Sequence, residues 1–454
     1  MNSVIERRKQ DVLTGSARLI RRAREVEDRV THMTRNIREN KAYQHALAKE
    51  TERTPDELAL AFAERFREYR RQWTEQPKSC LASGLAGEEL YAHGHVPLCV
   101  DIETASICDL ACGFCYRESI ATPDKLISDA LFERIVDQAA EIGVPSMKFN
   151  WRGEPLLHPQ IHRLVDYAKR KGIIDTIINT NATNLSRTTG QRLIEAGLDF
   201  MIYSFDGGTK ETYEKMRPGR FKPNKFEDVY RNIVDFAETR EKMGAKFPRT
   251  KIQMILTEET YPEQDAFFEL FDDYVDEVTV TQYSERGGNF SDLSPDELLA
   301  YRELCTSLGV PEGAPYLRDA DGNISVADGR LPCEQPYQRL MVTYDGRVAM
   351  CCFDWGAVHP VGYLDKASFK DPDADKRVVM KRIQSGRRGF ELMGRVEMPP
   401  KFNQPERRVD TLRDVWVGGE IAAVRRQHIQ GMVDKVPICK GCTFKDTYRW
   451  VTKK

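Results

Sequence analysis

Three cysteines fall within eight residues, Cys108-Asp-Leu-Ala-Cys112-Gly-Phe-Cys115, a C-x3-C-x2-C spacing that lets all three thiols close on one face of a small loop. Iron–sulfur clusters are held by such thiolates, ordinarily four of them. A cubane gripped by only three leaves one iron open to another ligand. A structural zinc knuckle is the alternative, and it needs a fourth Cys or His nearby. The next His is His158 and the next cysteine is Cys305, so the spacing favours a cluster. An apolar, strand-like run from Val96 to Ile102 leads directly into the loop.

The chain of 454 residues is long enough for two large domains or about three smaller ones. Its eleven cysteines are an odd number, several lie in C-x2-C-type clusters, and the start Met1-Asn-Ser-Val-Ile-Glu-Arg-Arg-Lys lacks the apolar core of a signal peptide. That combination points to metal work in a reducing, cytoplasmic compartment rather than to disulfides. Cys80, Cys99 and Cys305 stand alone and read as packing residues. Lys+Arg 68 against Asp+Glu 70 gives a net charge of −2, so no global field draws nucleic acid or an anionic membrane. No run approaches the roughly 18 apolar residues of a membrane span.

Residues 1–95 read as a helical N-terminal extension. Thr54-Pro55-Asp56-Glu57 is a helix start, with a Thr cap, Pro in the first turn and Glu three places after the cap. Behind it Leu58, Phe62, Phe66, Tyr69 and Trp73 recur at helical spacing, an apolar stripe that predicts packing on the catalytic body or on a second copy of the chain. From Val96 the pattern becomes strand–helix alternation, the mark of parallel α/β units. Strands are predicted at 98–104, 146–151, 174–179, 199–205, 251–257 and 277–282, with amphipathic helices near 129–142, 159–171, 187–196, 226–243 and 262–274.

With the cysteine loop set after the first of these strands, the sequence resembles the radical S-adenosylmethionine (SAM) enzymes over residues 96–445. The resemblance implies a partial (βα)6 TIM-like barrel over 96–285, with functional residues at the C-terminal strand ends. It implies a [4Fe–4S] cluster on Cys108, Cys112 and Cys115 whose open iron chelates SAM, and Phe114 beside the adenine. Trp151-Arg152-Gly153-Glu154-Pro155 resembles the family's Gly-Gly-Glu-Pro motif, which meets the SAM amino group. Gly153, Glu154 and Pro155 carry over, whereas Arg152 replaces the first Gly. Asn179-Thr180-Asn181-Ala182 stands where relatives have Thr-Asn-Gly, and Ser204-Phe205-Asp206-Gly207 resembles a Ser-x-Asp-Gly segment. Asn181, Ser204 and Asp206 are thereby implied as SAM contacts, although the same residue types are ordinary turn formers. Arg217, in Tyr213-Glu-Lys-Met-Arg217-Pro-Gly, is implied as a partner for a carboxylate.

Beyond Gln282 the alternation stops, and a Pro/Gly-rich connector, 286–331, leads to a C-terminal domain over 332–454 with a Lys/Arg/Pro-rich insertion at 365–410. This domain holds Cys333, Cys351, Cys352, Cys439 and Cys442. Tyr344-Asp345-Gly346-Arg347 reads as a hairpin turn that folds Cys351 back toward Cys333. Four thiolates of this kind suit a structural zinc. The C-x17-C spacing followed by a distant C-x2-C instead resembles the SPASM or twitch domain, which implies an auxiliary [4Fe–4S] cluster on Cys333, Cys351, Cys439 and Cys442. Cys352 then reads as a spare, with exchange for Cys351 as the alternative.

The resemblance implies a radical SAM oxidoreductase with SAM and two [4Fe–4S] clusters as cofactors, and an electron donor such as flavodoxin or ferredoxin. The four-cysteine auxiliary set most resembles the aminoglycoside-pathway amino-cyclitol dehydrogenases. That implies a carbohydrate-like small-molecule substrate, oxidised or epimerised, with the auxiliary cluster as electron acceptor. Two other readings stay open: a peptide maturase, and a zinc-bound scaffold that assembles as a homo-oligomer through its N-terminal helices.

Overall fold

A computed structural model of the chain describes residues 26–35, 37–38, 54–282 (apart from 116, 118–122 and 258), 316–318, 324–326, 332–369 (apart from 355, 356 and 358), 379–386, 389–397 and 408–440. Cys305, Cys442, Trp355 and the start of the connector lie outside these residues. Six strands follow one another in parallel: β1 Cys99–Ile102, β2 Ser146–Lys148, β3 Asp175–Thr180, β4 Phe200–Ser204, β5 Arg249–Leu256 and β6 Glu277–Gln282. The helices Asp129–Glu141, Ile161–Arg170, Arg187–Glu195, Phe226–Lys242 and Gln264–Phe271 connect them, at the places the amphipathic pattern predicts. A further short helix, Lys210–Met216, is capped by Thr209 and had no separate signal in the alternation. Val100, Met147, Ile178, Met201, Ile252 and Met254 of the strands pack against Phe132, Leu164, Leu193, Ile233 and Phe267 of the helices in one core. Burying each such side chain contributes about 1.5–3 kcal/mol.

The sheet continues past the barrel. β9, Arg339–Val342, lies parallel along the free edge of β1, and β10 (Arg347–Ala349) and β11 (Pro360–Tyr363) follow antiparallel, giving a nine-stranded sheet. The expected hairpin turn joins β9 to β10: Thr343 N–H donates to Arg347 O at 2.8 Å, and Gly346 takes φ +92°. That left-handed conformation costs a residue with a Cβ about 1–2 kcal/mol. Two short antiparallel pairs lie where loops were expected. β7 (Tyr316–Arg318) pairs with β8 (Ile324–Val326) inside the connector, and β12 (Val379–Gly386) with β13 (Gly389–Glu397) inside the insertion.

The N-terminal extension is helical where described. The Pro55–Ala82 helix opens with the expected capping box, Thr54 N–H donating to Glu57 Oε2 at 2.7 Å and Glu57 N–H to Thr54 Oγ1 at 3.3 Å. Its buried Phe62, Phe66 and Tyr69 pack with Val30, Met33 and Ile37 of the preceding helical segment, and with Leu98, Ile174 and Phe247 of the barrel. Arg29 reaches Asp175 at 2.5 Å, and Tyr69 donates to the other oxygen of Asp175 at 3.3 Å. Asp175 opens β3, so the extension covers the strand-start end of the barrel, the face associated with stability rather than catalysis. No helix among the described residues is long and apolar enough to cross a membrane. Cys80 and Cys99 are buried, as expected of packing residues.

This docking can be measured. Phe66 is 1% exposed and touches Phe62, Tyr69 and Arg29. Phe66→Ala is expected to lower unfolding stability in urea by about 3 kcal/mol. Leu60→Ala, on the solvent side of the same helix at 59% exposure, should stay within about 0.5 kcal/mol. Equal effects would show that the stripe is not what anchors the helix.

Candidate active site

The cysteine loop leaves the C-terminal end of β1 and is gripped from three other strand ends. From the end of β2 comes the Gly153–Glu154 peptide, whose Glu154 N–H donates to Ile107 O at 2.8 Å. A Cβ on Gly153 would lie 2.1 Å from Ala105 O and 2.5 Å from Ile107 O, so only glycine permits the approach. From the end of β3, Asn181 Nδ2 donates to Asp109 Oδ1 at 2.9 Å, while Thr183 Oγ1 and Asn184 Nδ2 donate to Asp109 Oδ2 at 2.5 and 3.0 Å. After β4, Pro218 O accepts from Ala111 N–H at 2.9 Å, and Arg220 N–H donates to Asp109 O at 2.7 Å. Arg117 closes the loop on itself, donating to Ser106 O and pairing with Asp124. Asp109 is thus the hub of the loop, and the sequence carried no signal for it beyond its place between the first two cysteines.

Glu154 is 3% exposed and its carboxylate accepts from three donors: Leu156 N–H at 3.0 Å, Thr180 Oγ1 at 2.7 Å and Asn181 N–H at 2.8 Å. Burial nevertheless raises its carboxyl to about 7, the three hydrogen bonds opposing the shift. Ala182, where relatives carry Gly, adopts φ +61°, held by Thr180 Oγ1 at its N–H and Asn232 Nδ2 at its carbonyl, both 2.9 Å. The glycine-like backbone is kept despite the side chain. Asp206 and Arg217 form a buried ion pair at 2.6 Å, and the second oxygen of Asp206 accepts from Ile255 N–H at 2.7 Å. The Arg217 guanidinium also lies 5.6 Å from the centre of the Phe114 ring and acts electrostatically on Cys112. Cys108, Cys112, Cys115, Phe114, Gly153, Glu154, Asn181, Asp206 and Arg217 therefore share one end of the barrel. Ser204 ends β4, two residues before Asp206.

Arg152 explains its departure from the glycine of the motif. Its guanidinium makes a bidentate pair with Glu103, at 2.7 Å on both oxygens, and Glu103 also accepts from Tyr344 N–H at 3.2 Å in the β9–β10 turn. Next to it, Trp151 Nε1 donates to Cys352 O at 3.4 Å, and its ring packs with Met341, Ala349 and Ala357. The motif loop thus joins the first cysteine set to the hairpin that leads into Cys351 and Cys352.

In that second set, Gln335 N–H donates to Cys333 Sγ and Cys352 Sγ to Gln335 Oε1, both at 3.4 Å. Cys333 N–H donates to His428 Nδ1 at 2.9 Å, and His428 Nε2 stands 3.6 Å from Cys439 Sγ. The sequence reading missed His428; its position with Ile421 and Arg425 at i, i+4, i+7 on a buried helix face was the available signal.

Two family models match the chain. Residues 102–256 match the radical SAM superfamily model, and residues 333–384 match the SPASM model, an iron–sulfur cluster-binding domain. The chain carries a radical SAM domain followed by a SPASM domain. Among curated relatives, a protein named "Probable GTP 3',8-cyclase" from Methanopyrus kandleri is 31% identical over 161 residues, 36% of this chain and 48% of that one. An Fe-coproporphyrin III synthase from Methanosarcina barkeri is 30% identical over 146 residues, 32% of this chain and 35% of that one. The chain thus spans about half or less of the relatives' length. Among solved structures, Streptococcus suis SuiB bound to precursor peptide SuiA aligns at TM-score 0.43 and 18% identity, covering 67% of this chain and 66% of that one. BtrN in complex with AdoMet and 2-DOIA aligns at TM-score 0.41 and 14% identity, covering 76% and 93%.

The two domains imply SAM and two [4Fe–4S] clusters, and the first donor set fits. No three Cys, His, Asp or Glu side chains among the described residues converge tightly enough for a single ion. A cubane instead places each thiolate on a separate iron, and Cys108, Cys112 and Cys115 are close enough to perturb one another electrostatically. Burial pushes the Cys112 thiol up to about 12, so the metal itself must displace the proton when the site loads.

Two substitutions test this construction. Gly153→Ala should drive the cysteine loop off its seat, and after anaerobic reconstitution the iron content is expected to fall from about eight per chain to about four. Arg152→Ala leaves Glu103, fully buried, without its guanidinium, and should cost about 3–5 kcal/mol of unfolding stability. Full iron uptake by the first variant, or unchanged stability of the second, would contradict the contacts described.

Proposed function

We propose that the chain is a radical SAM oxidoreductase that removes hydrogen from a sugar-like or amino-cyclitol carbon, oxidising or epimerising it. The observation that carries this reading is that the β9–β10 hairpin leading into Cys351 continues the sheet whose β1 leads into the first cysteine set, joined through β9 on β1 and through the Trp151–Arg152 clamp. When bound, the clusters and SAM would supply one-electron cleavage to a 5′-deoxyadenosyl radical and an acceptor for the electron left on the substrate. The protein's share is binding, aim and exclusion of water. Glu154 and the Gly153 carbonyl would take the SAM ammonium, Phe114 would flank the adenine, and Asn181, Ser204 and Arg217 would meet its polar groups. In the Asp206–Arg217 pair, the carboxylate positions the guanidinium beside Phe114 and Cys112. A one-electron donor such as flavodoxin or ferredoxin would reduce the system. The described part of the helical extension packs on the strand-start end, away from the site, which supports a small molecule over a leader-bearing peptide.

The test is anaerobic turnover with SAM, dithionite and candidate amino-cyclitols. Replacing Cys108, Cys112 and Cys115 together with Ala is expected to abolish 5′-deoxyadenosine formation. Replacing Cys439 and Cys442 should spare SAM cleavage and stop oxidised product. Normal product from a folded Cys439/Cys442 variant would sink the acceptor role.

Glu154 supplies a pH test. Its carboxyl is raised to about 7, so below that pH it is neutral and offers the SAM ammonium no counter-charge. SAM affinity is therefore expected to rise with pH toward neutrality, by up to about tenfold per unit below that value. Glu154→Gln should flatten the profile; an equally steep profile in the variant would assign the dependence elsewhere.

A further inference from the structure

His428 is 1% exposed, in the last turn of the Gly419–Ile429 helix, and touches the second cysteine set at two points. Nδ1 accepts the backbone N–H of Cys333 at 2.9 Å, and Nε2 lies 3.6 Å from Cys439 Sγ. The first contact decides the role of the second. A backbone amide can only donate, so Nδ1 must carry the lone pair, and Nε2 must bear a hydrogen. Nε2 then has no lone pair for a metal. It meets the sulfur as a hydrogen-bond donor.

We propose that His428 is a positioning residue of the auxiliary site: Nδ1 pins the Cys333 backbone, while the Nε2–H donates to the Cys439 thiolate and makes the cluster easier to reduce. The assignment rests on the cluster reading given above. Hydrogen bonds to ligand sulfurs are among the determinants of iron–sulfur potentials. Taking up one electron adds a negative charge to the cluster and its thiolates, so a donor aimed at sulfur stabilises the reduced form more than the oxidised one. A histidine kept only for packing would need the Cys333 contact alone.

The two contacts can be separated. In His428→Asn, the short amide can keep an acceptor near the Nδ1 position but cannot reach Cys439. In His428→Gln, the longer amide carries an N–H donor toward the Nε2 position. Full-length protein would be reconstituted anaerobically and titrated potentiometrically with a chemical reductant under EPR, with SAM added to move the first cluster's signal away from the second. His428→Asn is expected to lower the reduction equilibrium constant of the auxiliary cluster about tenfold, about 59 mV for one electron. Iron content, melting temperature and the first cluster's potential should stay unchanged, and His428→Gln should restore most of the shift. An unmoved auxiliary potential at full iron content overturns the assignment alone. A wild-type protein that takes up about four irons instead of about eight overturns the cluster reading as well. Should the variants not fold, ENDOR on the reduced wild-type auxiliary cluster decides: a proton exchangeable in D2O and no ligated nitrogen is expected, and an imidazole nitrogen bound to iron overturns the proposal.

Discussion

The contact on which the site depends is the approach of one backbone to another, Gly153–Glu154 against Ala105–Ile107. Its 2.8 Å hydrogen bond from Glu154 to Ile107 needs a residue without a Cβ beside it. This contact holds the start of the cysteine loop while Asp109 holds its middle, through four donors: the side chains of Asn181, Thr183 and Asn184, and, at its backbone carbonyl, Arg220 N–H. A loop that must present three thiols to a rigid cluster cannot be left to its own flexibility. Here the ends of several parallel strands immobilise it, which is what the C-terminal face of such a barrel is suited to do.

The same loop carries the connection to the C-terminal domain. Arg152 turns away from the site toward Glu103, and Glu103 is held in turn by the Tyr344 peptide. A buried pair of this kind adds little net stability over an apolar equivalent, because desolvating both charges offsets their attraction. Its value here is geometric: it registers the β9–β10 turn against the end of β1. Together with β9 lying on β1, it makes the β9–β10 hairpin, which leads into Cys351 and Cys352, a continuation of the barrel sheet. The buried Arg425, which donates to the carbonyls of Pro336, Ala86 and Trp416, fastens the C-terminal helix to the same assembly.

At the opposite end, the N-terminal extension uses its aromatic stripe within the chain. Arg29 and Tyr69 meet at Asp175, and Lys169 pairs with Asp199 at the start of the next strand at 2.8 Å. Charged groups buried at the strand starts need partners, and the extension supplies some of them.

The sequence by itself determined the repeating elements and the ligand spacing. Strand–helix periodicity located the six barrel strands β1–β6, and Tyr344-Asp345-Gly346 marked its hairpin, because these signals depend on residues close in the chain. The local spacing of Cys108, Cys112 and Cys115 likewise needs only a few residues to be read. What only the tertiary structure decided are pairings across long separations: Arg152 with Glu103, Asn181 with Asp109, and Cys333 with His428, 95 residues apart. No local pattern encodes them, since a hydrogen bond depends on where strand ends and helix faces meet in space. The Ala182 conformation follows the same reason: a residue that would avoid φ +61° alone is held there by Thr180 and Asn232.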